Sequence, residues 1–209
     1  MGPPVSSRSV GEIQILSHAA GPRSRLIDAA YALFTRRGIR AVSVDDILAA
    51  SGATASQFDA EFASIDDLVV AVLDAREQRW TFDKIEAGAR AAGTTPEEQL
   101  LGIFDVFDDW FHADDYEGCT FISVLLELGW DHPAGRACID HLSNIRDVVA
   151  RLARDAGVTD PSAFAHSWHI LMKGSIISAT EGDLDAAKRA REMAADLLAR
   201  SRGGTATTR

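Results

Sequence analysis

From Ser43 to Leu68 the chain sets helix starts and stops so close together that only a run of short helices fits there. Ser43 suits the N-cap of a helix through Val44, Ile47 and Leu48, and Asp45 and Asp46 fall where the helix dipole favours carboxylates. Gly52 ends that helix. After the turn through Gly52 and Ala53, Thr54 caps a second segment whose Phe58 and Phe62, four apart, share an inward face. Ser64 then opens a third helix, with Asp67 completing a capping box ahead of Leu68, Val69, Val72 and Leu73. Two short helices joined through a glycine turn have the shape of helix-turn-helix units that read DNA.

Upstream, Arg25 to Arg37 predicts a helix with Leu26, Ala29, Ala30, Leu33 and Phe34 on one stripe, closed by Gly38. At this point the chain resembles the TetR family of one-component bacterial regulators. The resemblance is carried by Ile27 to Phe34 (Ile-x-Ala-Ala-x-x-Leu-Phe), Gly38, Ser43-Val44-Asp45-Asp46-Ile47, Ser51-Gly52-Ala53-Thr54, and then Phe58, Phe62, Ser64 and Leu68. It covers about a quarter of the chain, and order and spacing rather than any single residue make it specific.

The helix starts, stops and stripes along the chain predict an all-α fold of about nine helices, and the resemblance implies a three-helix helix-turn-helix head, then a helical ligand-binding and dimerisation domain. Its expected boundaries are a flexible arm over 1–20, a DNA-binding domain over 21–78, a second domain over 79–200 and a disordered tail over 201–209. The activity it implies is that of a cytoplasmic repressor, bound to double-stranded operator DNA as a homodimer and released by a small apolar effector. No cofactor or metal is implied.

The outward face of the head departs from the family. Where members usually carry a Lys near position 55, a Tyr at 59, a His at 61 and a Lys at 65, this chain has Ala55, Asp59, Glu61 and Ile65. From Ala41 to Ala75 it has no Lys or Arg. Duplex affinity comes largely from cations that displace counterions from phosphate. A partly desolvated carboxylate against phosphate opposes it by roughly 1–3 kcal/mol. The groups left to touch DNA are Thr54, Ser56 and Gln57, helped by Ser43 and the flanking Arg23, Arg25 and Arg40. A formal net charge of -10 argues the same way against loose binding over the whole surface. The rival reading is therefore a TetR-shaped module that binds a small molecule or protein partner and has lost or weakened its hold on DNA.

Downstream, the helix opened by Ser64 is expected to run to about Ala92, because no stop signal intervenes before Gly93-Thr94-Thr95-Pro96. Thr95, Pro96 and Glu98 form a capping box with proline at the first helical position. The following helix stacks Leu100, Ile103, Phe104, Phe107, Trp110 and Phe111. Further helices are expected over Phe121–Leu128, Pro133–Asp155, from Pro161 to Gly182, and Leu184 to about Arg200. Phe104, Phe107, Trp110, Phe121, Leu125, His141, Ile145, Trp168 and Met172 make a large apolar centre, readable as plain core or as a small-molecule pocket with His141 as the polar contact. The closing helices carry Ala179, Ala186, Ala187, Ala190 and Ala194, small residues suited either to a dimer interface or to packing inside one subunit.

Nothing in the sequence points to catalysis: there is no phosphate-binding glycine loop, nucleophile elbow or His-Glu-x-x-His. His166 and His169, three apart, lack a second ligand pair, and Cys119 and Cys138 read as buried apolar residues. No apolar run approaches the roughly 18–20 residues of a membrane span.

Overall fold

The computed structural model describes residues 21–202, all helix and connecting turn. The arm expected over 1–20 lies outside the described residues, as does the expected tail apart from Ser201 and Arg202, which end the last helix. The chain divides into two compact units between Val72 and Leu73.

The first unit holds α1 (Pro22–Arg37), α2 (Val44–Ser51), α3 (Ala55–Glu61) and the start of α4 (Ile65–Glu77). Helix α1 begins earlier than its apolar stripe suggests, since Pro22 suits the first turn, where its missing N–H costs nothing. Ser43 and Asp46 cap α2 reciprocally, and Gly52 ends it in the left-handed conformation (φ 65°) that favours glycine. Thr54 and Gln57 form a second reciprocal box at α3, and the Ser64 hydroxyl accepts from the Asp67 amide at 3.1 Å before α4. Leu26, Ala30, Phe34, Ile47 and Leu68 close the core together with Phe58 and Phe62, whose ring centroids are 5.8 Å apart and which are only 5% and 4% exposed. Burying two phenylalanines in so small a unit contributes on the order of 3–6 kcal/mol.

The helix opened at Ile65 does run on as expected, but not in one register. After Glu77 it widens into a π-helical segment over Gln78–Glu86, then returns to α geometry as α5 (Ala87–Ala91), with Glu77, Glu86 and Ala87 all keeping right-handed helical angles. Next come α6 (Pro96–Phe111), α7 (Thr120–Leu128), α8 (Pro133–Asp155), α9 (Pro161–Thr180) and α10 (Ala186–Arg202). Counting residues 65–91 as one rod, the described residues form nine helices.

The core of the second unit is aromatic. Phe104 stacks near Trp168 at 5.3 Å between centroids, Trp80 meets Trp110 at 4.2 Å, and Trp110 meets Tyr116 at 4.9 Å. Tyr116 closes this cluster by donating its hydroxyl to the Ile176 carbonyl at 2.7 Å. Ala179, Ala186, Ala187, Ala190 and Ala194 are buried within the unit, letting α10 approach α9 and α6 closely.

Between α7 and α8 the chain turns so tightly that a Cβ on Gly135 would lie 1.8 Å from the Gly129 carbonyl oxygen. Backbone cannot yield as a flexible side chain does. Gly135→Ala is expected to lower the unfolding free energy by roughly 1–3 kcal/mol, read as a reduced urea midpoint; an unchanged midpoint would contradict this packing.

Candidate functional site

The first unit offers an outward α2–α3 face, and among the groups expected to touch DNA, Arg23, Arg25, Ser43, Thr54 and Gln57 make hydrogen bonds within the head. Arg23 donates to the Glu61 carbonyl at 3.1 Å, pairs with the Glu61 carboxylate at 3.7 Å and lies 4.6 Å from the centre of the Phe62 ring. Arg25 donates to the Ser51 carbonyl at 3.3 Å, at the end of α2. The Ser43 hydroxyl lies 2.6 Å from the Asp46 carboxylate, while the Thr54 and Gln57 side chains each bond the other's backbone N–H. Ser56 and Arg40 are exposed. These bonds fix helix starts and inter-helix angles, but the exposed ion pairs are worth little and exchange easily for phosphate.

The acidic character persists in three dimensions. Asp59 is exposed on α3, and Arg37 pairs with Asp46 at 3.2 Å. The Ser43 hydroxyl and amide, with smaller help from Arg37, hold the Asp46 carboxyl below its ordinary value. That carboxyl stays charged at the mouth of α2, where it serves the helix rather than a phosphate.

In the second unit an enclosed cavity lies among the π segment, α6, α7, α8 and α9. Its space is about 20 Å³, little more than one water molecule. Of the residues expected to form a pocket, Phe107, Phe121, His141, Ile145 and Met172 line it. The other four do not. Phe104 and Trp168 are fully buried in the ring cluster, Trp110 packs between Trp80 and Tyr116, and Leu125 is half-buried on α7 away from the cavity.

The remaining lining includes Trp80, Thr81, Cys119, His169 and Lys173, which sequence reasoning did not assign to a pocket. Their only advance signal was helical spacing: Met172 and Lys173 follow His169 by three and four residues, so one face of α9 carries all three.

His141 is the polar contact expected from sequence, and carboxylates already approach it. Glu77 lies 2.7 Å from Nδ1 and Asp74 lies 3.2 Å from Nε2, both off the line of an N–H, so neither is an aligned hydrogen bond. Deeper in, Thr81 Oγ1 and His169 Nδ1 are enclosed without a hydrogen-bond partner. Burial, aided by Lys173, Arg146 and His166, pushes the His169 pKa down to about 3, which leaves the ring neutral at pH 7. Burial likewise raises both thiols, Cys138 to about 12, so neither cysteine is a thiolate nucleophile. His166 is exposed while His169 is buried, and no metal-binding group of three His, Cys, Asp or Glu occurs among the described residues. No helix among them is long and apolar enough to cross a membrane.

Residues 26–72 match the sequence model for bacterial regulatory proteins of the tetR family. Curated proteins provide no sequence match. Among solved structures, a TetR-family transcriptional regulator from Streptomyces coelicolor is similar over 87% of this chain and 96% of its own, with TM-score 0.78 and 24% identity. A Streptomyces avermitilis protein assigned to the tetR transcriptional regulators aligns over 87% of this chain and 98% of its own, with TM-score 0.77 and 26% identity. The regulatory protein TetR from Rhodobacter sphaeroides aligns over 84% and 98%, with TM-score 0.69 and 21% identity.

The buried neutral imidazole makes stability depend on pH. Between its folded pKa of about 3 and its ordinary 6.5, the unfolded chain takes up a proton at His169 that the folded chain refuses, so stability falls as pH drops through that window. At pH 5 the loss is about 2 kcal/mol. In urea unfolding at pH 7 and pH 5, His169→Gln is expected to be less sensitive to the change than the unsubstituted protein by that amount. Equal losses in the two would refute the assignment.

Proposed function

We propose, on the match of residues 26–72 to the tetR-family model and the likeness in fold to TetR-family regulators, that this chain is a ligand-responsive repressor that binds operator DNA as a homodimer. The first unit is the DNA-reading head. The second is the dimerising unit, whose cavity takes a small, largely apolar effector that releases the protein from DNA. The protein works in the cytoplasm and catalyses no reaction. The observation that carries this reading is the intact interior of the head: Phe58 and Phe62 are buried, and α2 and α3 are each capped reciprocally across the Gly52 turn.

Two further observations support the dimer and the effector. Ile170, Ile177 and Met193, at 67%, 47% and 57% exposure, lie on α9 and α10, where a second copy would cover them. A helix-turn-helix head needs two half-sites, which a symmetric pair supplies. The cavity combines aromatic walls with a few polar groups, the usual composition of a small-molecule site.

The acidic face favours one rival, a TetR-shaped binding module with little affinity for DNA. Asp59 is exposed on α3, and the 41–75 segment offers no cation for phosphate. Selection of bound fragments from a genomic DNA library at moderate salt separates the two: enrichment of a palindrome supports the regulator, and no enrichment at any salt supports the rival. For the regulator, one or two phosphate contacts per head, two to four per dimer, predict an affinity loss of roughly 10- to 150-fold between 50 and 200 mM salt. A loss above about a thousandfold would mean that other cations do the binding. Ile170→Glu is expected to convert the dimer to monomer in sedimentation at micromolar concentration; a monomeric unsubstituted chain would remove the dimer from the proposal.

A further inference from the structure

The polar groups at the cavity are not a random sample of the chain. Thr81 and His169 are 0% and 3% exposed, and neither Thr81 Oγ1 nor His169 Nδ1 has a hydrogen-bond partner. Leaving such groups unmet costs about 1–3 kcal/mol each, so a native fold that keeps two beside one cavity creates a demand its own residues do not meet. Lys173, one turn beyond His169 on α9, lines the same space, and no carboxylate among the described residues pairs with it.

Several cations act on the groups that line the cavity. Lys173 and Arg146 act on His169, and Arg76 and Lys173 act on Cys119, all as cations. Arg76 also lies 4.9 Å from the centre of the Trp80 ring, with Lys84 at 5.5 Å. The acids near the cavity, Glu77 and Asp74, are already turned to His141. In a chain with net charge -10, an enclosed site lined by Lys173 and by the neutral donors Thr81 and His169 is set up for an anion. One ammonium, one hydroxyl and one neutral imidazole N–H match the acceptors of a single carboxylate; a phosphate dianion would need more charge.

Resting on the reading of this cavity as the effector site, we infer that it selects a small aromatic carboxylic acid. Its carboxylate is held by Lys173, Thr81 and His169, and its ring lies among Trp80, Phe107 and Phe121. Because the closed space holds little more than a water molecule, the ring enters by displacing a wall. The wall suited to move is the π segment that carries Trp80 and Thr81, since π geometry inside a helix is uncommon and is found mostly at functional sites.

The test is calorimetric titration of the full chain at pH 7 with three matched probes: 3-phenylpropionate, its amide and 3-phenylpropylamine. The acid is expected to bind at least about tenfold more tightly than the amide, with the amine weakest. Lys173→Met should bring the acid to within about twofold of the amide, whereas Lys173→Arg should keep most of the preference. Equal binding of acid and amide would overturn the anion site while leaving a neutral effector pocket standing. Preference for the amine, or an acid preference that survives Lys173→Met, would also overturn it. Failure of every probe at millimolar concentration would overturn it as well, and because the DNA-fragment selection uses no ligand, the regulator reading stands or falls separately.

Discussion

The burial of Phe58 and Phe62 in the interior of the head is the interaction on which the first unit depends. Helix α3 has seven residues, about two turns, too short to persist in water by its own hydrogen bonds. Its shape is maintained by two rings driven out of solvent and by a cap that fixes where the helix begins. Both act on the inward side. Nothing in that arrangement constrains the charge of the outward side, and that is why a head of this shape can carry Asp59 on its exposed face.

The second unit follows a different economy. Its interior is a stack of rings, with Phe104, Phe107, Phe111 and Trp168 almost wholly enclosed. Such a core resists small adjustments, because close-packed side chains move between discrete arrangements rather than deform continuously. The cavity lies at the edge of this stack, where the π segment replaces regular α geometry. A site able to open is best placed there, beside the rigid cluster rather than inside it.

Much of this architecture could be read from the chain because caps and stripes are local. Ser43, Thr54 and Thr95 each announce a helix within four residues, and structure and pattern agree at all three. The π segment could not be foreseen, since Gln78–Glu86 contains ordinary helix formers and no proline. Its register is a tertiary compromise that buries Trp80, Thr81 and Ile85 together. The cavity was half visible for a related reason. Periodicity shows which side chains face inward but not which of them meet, so Phe104 and Trp168 were grouped with Phe107 and Met172 although only the latter pair borders the space. Arg23 and Arg25 illustrate the converse: a flanking arginine reads as free for phosphate until the chain folds and offers it the carbonyls of Glu61 and Ser51.

The reciprocal boxes at Ser43–Asp46 and Thr54–Gln57 have one more consequence. They lock the beginning of each short rod with groups next to the backbone, so the exposed positions Ala55, Ser56 and Asp59 bear no mechanical duty. Their identities can drift, or be rewritten by an engineer, without disturbing the frame beneath.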